Sequence, residues 1–288
     1  MASIDHIGFD STGRSDRNDL PIVLEEFAKF LKDPSTYRPR KEGDKIVTYA
    51  LKYEYLQDRL DYEYYHPAFL EEIEKIENSK YRVTNLEELC IKISTGKTFK
   101  REQYKDKSET CNVFNIKTTN LTNDGIDWYK ESHTGSYIDE SLYETHGDAQ
   151  VEPEDILLNC SAHNIEYVGR YVDIVETIPS EVGNKILCSG EVMVIQPDIN
   201  KIDPVYLLFF LRSKLGQLQI RRIITGQSAH LYSEDMMNLF RVIIPPISKQ
   251  KELGKRLKEK IDERKRLLSR AKKVKDETTR MFDEVVRK

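Results

Sequence analysis

Apolar positions change their period along the chain, and each change marks an element. Leu24, Phe27, Phe30 and Leu31 recur at helical spacing behind Pro21, a residue suited to a first helical turn, and Asp33-Pro34-Ser35 ends the run after Lys32. Residues 1–19 show no period and read as an extended tail; residues 35–66 read as a charged connector with aromatics. Phe69, Leu70, Ile73 and Ile76 predict a second helix over Ala68–Asn78. From Val83 the pattern becomes short strands: Cys90–Ile93, Val113–Ile116, Ile156–Leu158, Tyr167–Val175 and Glu191–Ile195. Gly96, Asn123-Asp124-Gly125, Gly135 and Gly147 punctuate them as turns. Asp203-Pro204 opens a helix through Lys214, and a further helical stretch covers Gly216–Ile224. A Gly226-Gln227-Ser228 turn with an exposed His230 then leads into an apolar strand, Phe240–Ile244, closed by Pro245-Pro246.

The last segment reads as one long helix with Ser248 as its N-cap. Leu253, Leu257, Lys260, Arg264, Leu267, Ala271, Val274, Thr278, Met281 and Val285 step by four and three alternately, a heptad seam with polar interruptions, flanked by Ile261, Leu268 and Phe282. At 1.5 Å per residue, about 40 residues make a rod roughly 60 Å long. A rod of that length exceeds what one small domain can cover, so the seam predicts a partner helix. The fold class is α+β: a body of short strands and helices with a long coiled-coil-type C-terminal helix. Its divisions are a tail, helix and connector over 1–55, a recognition body over 56–247, and a stalk over 248–288.

Charge adds a contrast between these parts. The whole chain has a net charge of −4, but residues 249–288 carry sixteen Lys/Arg against eight Asp/Glu, leaving residues 1–248 at −12. A basic extension on an acidic body points to a partner, whereas a solvated helix face is the plainer account. Cys90, Cys111, Cys160 and Cys188 form no CxxC, which fits reduced thiols and a cytoplasmic chain rather than a zinc ribbon. The apolar run Tyr206–Leu211 is far short of the roughly 20 residues a membrane span needs.

Three loops carry residue types suited to nucleic acid. Ser94-Thr95-Gly96-Lys97-Thr98, followed by Lys100 and Arg101, combines a glycine that admits close approach with Lys97 and Thr98 as phosphate donors. It lacks the GxxxxGK[ST] spacing of a nucleotide-binding loop. Lys117-Thr118-Thr119-Asn120 follows a strand; Asn pairs bidentately with adenine and Thr contacts the thymine methyl, although the same residues make ordinary turns. Asn159-Cys160-Ser161-Ala162-His163-Asn164 offers His163, with Asp155 or Glu166 as conceivable partners for chemistry, or a surface hydrogen bond as the plainer role. Arg212, Lys214, Arg221 and Arg222 precede the 226–228 turn as candidate phosphate contacts, with Gln227, Ser228 and His230 as base or backbone contacts. We find no [DNS]PP[YFW] tetrapeptide, Walker motif or PD…(D/E)xK cluster.

The stretch from Ile223 to Gln250, with Gly226-Gln227-Ser228, Leu231, Pro245-Pro246 and Gln250, resembles the end of a target-recognition domain in the specificity subunit of type I restriction-modification systems. Asp58-Arg59-Leu60-Asp61-Tyr62-Glu63-Tyr64-Tyr65-His66-Pro67 looks like the entry to such a domain, so the resemblance spans about Leu56 to Lys288. The His163-Asn164 loop departs from a family position that is often glycine-rich, which leaves open whether it reads bases or packs. His6-Ile7-Gly8-Phe9-Asp10-Ser11-Thr12-Gly13 and Arg17-Asn18-Asp19-Leu20-Pro21 are similar to the segment after the catalytic domain of adenine-N6 DNA methyltransferases.

The resemblance implies one recognition domain plus one spacer helix, half of the usual subunit, reading double-stranded DNA without a catalytic centre of its own. It implies a methyltransferase subunit or upstream domain carrying S-adenosylmethionine, a possible restriction subunit, and self-association through the C-terminal helix. The alternative is the C-terminal specificity region of a single-chain methyltransferase or restriction-methylation enzyme. A third reading, a coiled-coil adaptor without DNA affinity, also stays open.

Overall fold

A computed structural model describes residues 1–286 except 4–6, 10–11, 13, 39–46, 57–58, 131–134 and 226–228. Its contacts divide the chain into two compact units, Met1–Lys75 and Ile76–Lys288. The division falls twenty residues later than the sequence suggests, and the long helix groups with the recognition body.

The first unit holds β1 (Ala2–Ser3), β2 (Ile7–Phe9), β3 (Ser15–Asn18), α1 (Leu20–Lys32) and β4 (Val47–Thr48). β1 pairs with β4 and β2 with β3, both antiparallel. The expected structureless tail is therefore partly strand; pairings two or three residues long leave no periodic trace in a sequence. Tyr49, Tyr64 and Tyr65 are buried. Helix α1 starts one residue before Pro21, but Leu24, Phe27 and Leu31 of its apolar stripe are exposed, while Phe30 packs edge-on against Tyr37 at 5.6 Å. α2 (Pro67–Glu77) matches the expected second helix and contains the division between the units.

The second unit contains β5 (Arg82–Asn85), β6 (Cys90–Thr95), β7 (Val113–Ile116), β8 (Tyr137–Ile138), α3 (Ser141–Thr145), β9 (Ile156–Asn159), β10 (Val172–Ile174), β11 (Ile186–Cys188) and β12 (Val192–Pro197). Then come α4 (Pro204–Arg212), α5 (Lys214–Ile223), α6 (Ser233–Leu239), β13 (Arg241–Ile244) and α7 (Ile247–Val286). An antiparallel sheet runs β10-β9-β12-β6; a second, β11-β7-β8, pairs β11 and β7 in parallel; β13 pairs with β5. Every residue of β7, β9 and β11 is buried, Asn115 and Asn159 included, so these strands are covered on both faces. Phe114, Ile116, Leu157, Ile186, Val192 and Val194 form the core the two larger sheets share.

The expected strand Tyr167–Val175 is broken. Residues Ile165–Tyr167 form a short 3-10 turn and only Val172–Ile174 pair in a sheet. Between them Gly169 has φ +71°, where a β-carbon would lie 2.5 Å from Ile220 Cγ2. Buried Asp173 in β10 then ties this edge to its neighbours. Its carboxylate accepts from the backbone N–H of Thr122, Asn123 and Gly125 at 2.7, 3.0 and 3.1 Å, and from the Arg212 guanidinium at 2.8 Å. A buried charge is tolerable only with such partners.

The start of α7 is fixed to α4 by polar contacts. Gln250, 1% exposed, accepts from Asp203 N at 3.0 Å and donates to Pro245 O at 2.8 Å. Asp203 in turn caps α4 by accepting from Tyr206 N at 2.8 Å, and the Tyr206 hydroxyl donates to Ile243 O at 2.7 Å. One turn further on, a β-carbon at Gly254 would meet Asp203 Oδ1 at 2.9 Å, so glycine lets the two helices touch. Ser248, expected as the N-cap, lies inside the first turn because the helix begins at Ile247.

Leu257, Ile261 and Lys265 continue this half-buried face, and Arg264 pairs with Asp124 at 2.5 Å. Beyond it Leu267, Val274 and Met281 of the expected seam are exposed, as are Leu268 and Phe282. Leu257 and Arg264 of the seam thus share the face that docks on the domain, while its later positions Leu267, Val274 and Met281 are exposed. No helix among the described residues is long and apolar enough to cross a membrane.

Gln250→Ala removes two buried hydrogen bonds and leaves the Asp203 N–H unpaired, so it should lower unfolding stability by about 2–3 kcal/mol. Met281→Ala, on the exposed seam, should change it by less than about 0.5 kcal/mol. Urea unfolding midpoints of the full chain check both; equal midpoints would show that the anchor is not rigid.

Candidate nucleic-acid interface

The turn between β11 and β12 gathers most of the loops that carry contact residue types. Val192 N bonds Ser189 O at 2.9 Å, closing the tight turn Ser189-Gly190-Glu191-Val192. From the first loop, Gly96 N bonds Val192 O and Lys97 N bonds Cys188 O, each at 2.9 Å. Ser189 N bonds Ile116 O at 2.8 Å, at the start of the second loop. Cys160 N of the third loop bonds Glu191 O at 2.9 Å, and Leu231 N bonds Cys160 O at 2.8 Å, which brings in the segment after residues 226–228. Ser161 and Thr225 both bridge His230.

Gly96 shows why the first loop needs its glycine. A β-carbon there would lie 2.2 Å from Cys188 O and 2.4 Å from Ser189 O. The space the sequence reserves for a phosphate is, at this residue, used by the β11–β12 turn. Lys97 and Thr98 themselves remain exposed beside it.

In the second loop Asn120 is buried, and its carboxamide accepts from Lys117 N and donates to Asp127 O, both at 2.8 Å. It shapes its own turn, and the expected adenine pairing finds no exposed amide. Thr119 is exposed. The Lys117 ammonium lies 3.9 Å from the Tyr104 ring centroid and donates to Gly135 O at 3.3 Å, and its burial lowers its pKa. Beneath, the Tyr104 hydroxyl bonds Asn115 Oδ1 at 3.2 Å, while buried Asn115 Nδ2 and Ser189 Oγ find no partner.

In the third loop His163 is exposed, and Asn164 accepts from Glu166 N at 2.9 Å to cap the following turn. Glu166 pairs with Arg221 at 2.6 Å. Asp155 is buried and accepts from Glu152 N at 2.8 Å, so it does not join exposed His163 in a chemical pair. No His/Cys/Asp/Glu group among the described residues has the arrangement to hold a metal. His230 is half-buried rather than exposed, its ring centroid 4.6 Å from that of Tyr232.

The expected run of four cations divides sharply. Arg212 is held inward by Asp173, and burial lowers its pKa. Arg222 is 7% exposed, so its phosphate role is corrected: a guanidinium inside the fold does not reach a duplex. Lys214 is exposed and Arg221 half-exposed. Periodicity placed all four on one helical stretch, but α4 ends at Arg212 and Ser213 caps α5, breaking the stretch. Gln227 and Ser228 lie outside the described residues. Glu191, read only as the first residue of a strand, is exposed at the tip of the turn that the loops share.

A profile described as "Type I restriction modification DNA specificity domain" matches residues 78–273. The chain belongs to this family. The matched span covers all the loops above and most of α7. No curated protein matches. Among solved structures, a chain from work on complex assembly and conformational transition of the type I R-M system is 13% identical with a TM-score of 0.45, covering 69% of this chain and 47% of that one. The HsdS subunit from Thermoanaerobacter tengcongensis is 16% identical with a TM-score of 0.43, covering 71% and 46%. The type I S subunit from M. genitalium is 11% identical with a TM-score of 0.38, covering 63% and 39%. This specificity domain chain spans about half the length of the first two or less.

Burial pushes the Asp155 carboxyl of this specificity domain up to about 6. Its folded pKa exceeds its unfolded one, so stability from this group is greatest below about pH 4 and is lost as pH rises towards 6. Asp155→Asn, which keeps an acceptor for Glu152 N, should be more stable than the parent by about 1–3 kcal/mol at pH 7.5, the gap closing near pH 4. Urea titrations at the two pH values check this; a gap that widens on acidification would contradict it.

Proposed function

We propose that this chain reads one half of a split double-stranded DNA sequence for a restriction-modification system that methylates adenine N6, and that it has no catalytic centre of its own. The observation that carries this reading is the convergence of the contact loops on one turn, within a domain of the type I DNA specificity family. In this reading Lys97, Thr98, Lys117 and Thr119 would hold the DNA backbone, with Arg221 and Lys214 on the α5 side. His163, Gln227, Ser228 and His230 carry the groups suited to base edges. Asn120 and Arg222 support these loops from within the fold.

The exposed seam of α7 suits a second helix. Two copies paired antiparallel would face two half-sites with twofold symmetry, their spacing set by helix length. A methyltransferase subunit docked on these helices would hold S-adenosylmethionine and take the target adenine out of the stack; a restriction subunit would join the same assembly. The second reading, the specificity region of a single-chain methyltransferase, is favoured by one feature. Residues 1–75 form their own compact unit ahead of the matched span, with the apolar side chains Leu24, Phe27 and Leu31 exposed on α1.

Selection of the full chain against a random duplex library tests the reading. The parent should enrich one sequence. Gln227→Ala and His163→Ala should blur base preference, whereas Lys97→Ala should weaken all sequences alike and reduce the salt slope by about 1. Arg222→Ala should act through stability, its loss of binding tracking its loss of folded protein. A chain with no salt-dependent affinity for any duplex would be an adaptor instead. Methylation restored by adding a separate methyltransferase subunit would favour the subunit reading over the single-chain one.

A further inference from the structure

Among the candidates outside the residues already assigned, the apolar groove beside α1 has nothing that names its occupant, and the Arg264–Asp124 contact on α7 is an exposed pair of the kind that contributes little. The tip of the β11–β12 turn carries more. Three separate segments, at Gly96-Lys97, Ile116 and Cys160, donate or accept backbone hydrogen bonds around it, so its position is set by the sheet framework rather than by a free loop. Glu191 stands at this tip, exposed, and among the described residues it makes no ion pair. Lys97 and Thr98 lie beside it: a β-carbon at neighbouring Gly190 would be 2.5 Å from Thr98 Oγ1. The negative charge of Glu191 is felt at Lys117, Tyr104 and Cys160, which come from the other loops.

A carboxylate exposed on the turn that these loops share is badly placed for phosphate, which it repels. It is well placed for a base edge that offers a donor and no neighbouring acceptor. In the major groove that description fits cytosine: its N4 amino group donates, whereas guanine presents O6 and N7 acceptors, thymine O4, and adenine an N7 acceptor beside its N6 amino group. We propose that Glu191 is a specificity-determining residue that accepts a hydrogen bond from the N4 amino group of one cytosine in the recognised half-site. Lys97 of the adjoining loop would hold the backbone while Glu191 discriminates one G·C pair by orientation. The residue is fixed by backbone bonds on the strand-side framework, which is the arrangement a precise reader needs. This inference rests on the DNA-recognition reading above.

The test compares the full-length parent with Glu191→Gln and Glu191→Ala in selection from a random duplex library, with thermal melting of each protein alongside. The parent should require cytosine at one position. Both variants should lose at least tenfold of the discrimination at that position, with the other positions, the salt dependence and the melting temperature unchanged. Replacing that cytosine with a pyrimidine lacking the exocyclic amino group should weaken the parent at least tenfold and leave Glu191→Ala unaffected. If the parent selects a sequence and the Glu191 variants select the same one with equal stringency, this inference is overturned while the function stands. If the parent selects nothing, both fall together.

Discussion

The second unit depends on how α7 is held at its root. Gln250 joins the loop that ends β13 to the N-terminus of α4, and Gly254 lets the side chains of Asp203 and Val205 pack against the backbone of α7. Neither residue contributes much apolar surface. What they contribute is direction: a helix of 40 residues multiplies any freedom at its base into a large displacement at its tip. Hydrogen bonds to a buried carboxamide fix an angle in a way that a greasy contact alone does not, because their geometry is narrow.

From that anchor a continuous set of contacts leads to the loops around the β11–β12 turn. α4 ends in Arg212, whose guanidinium meets Asp173; Asp173 gathers the backbone of residues 122–125; and Asp124 returns to α7 through Arg264. β10, which carries Asp173, is hydrogen-bonded to β9, and β9 runs into the His163 loop. The loops therefore sit on the same framework that orients the rod.

Much of this was legible in the sequence, and for identifiable reasons. β7 matches its expected bounds because Val113, Phe114 and Ile116 stand between polar turns, and the start of α4 does because Asp203 caps and Pro204 opens the first turn, whereas the helix ends at Arg212 and not at Lys214. α6 was missed because only Met236 among its seven residues is buried, too little to leave a period. β8 and β11 are two and three residues long and owe their form to β7 between them. The site was half legible. Residue types located the loops, yet nothing local distinguishes exposed Thr119 from inward-turned Asn120, or half-exposed Arg221 from buried Arg222. Glu191 was invisible for the same reason: its position at the meeting point of the loops is purely tertiary.

The claim on which the rest stands is that head and rod form one stiff body. Spin labels placed at Thr119 and Ser269, both exposed, measure it directly through the distance distribution between them in the full chain. The account predicts a single narrow distribution that broadens when Gln250 is changed to Ala. A distribution already broad in the parent, and unaltered by that substitution, would contradict it.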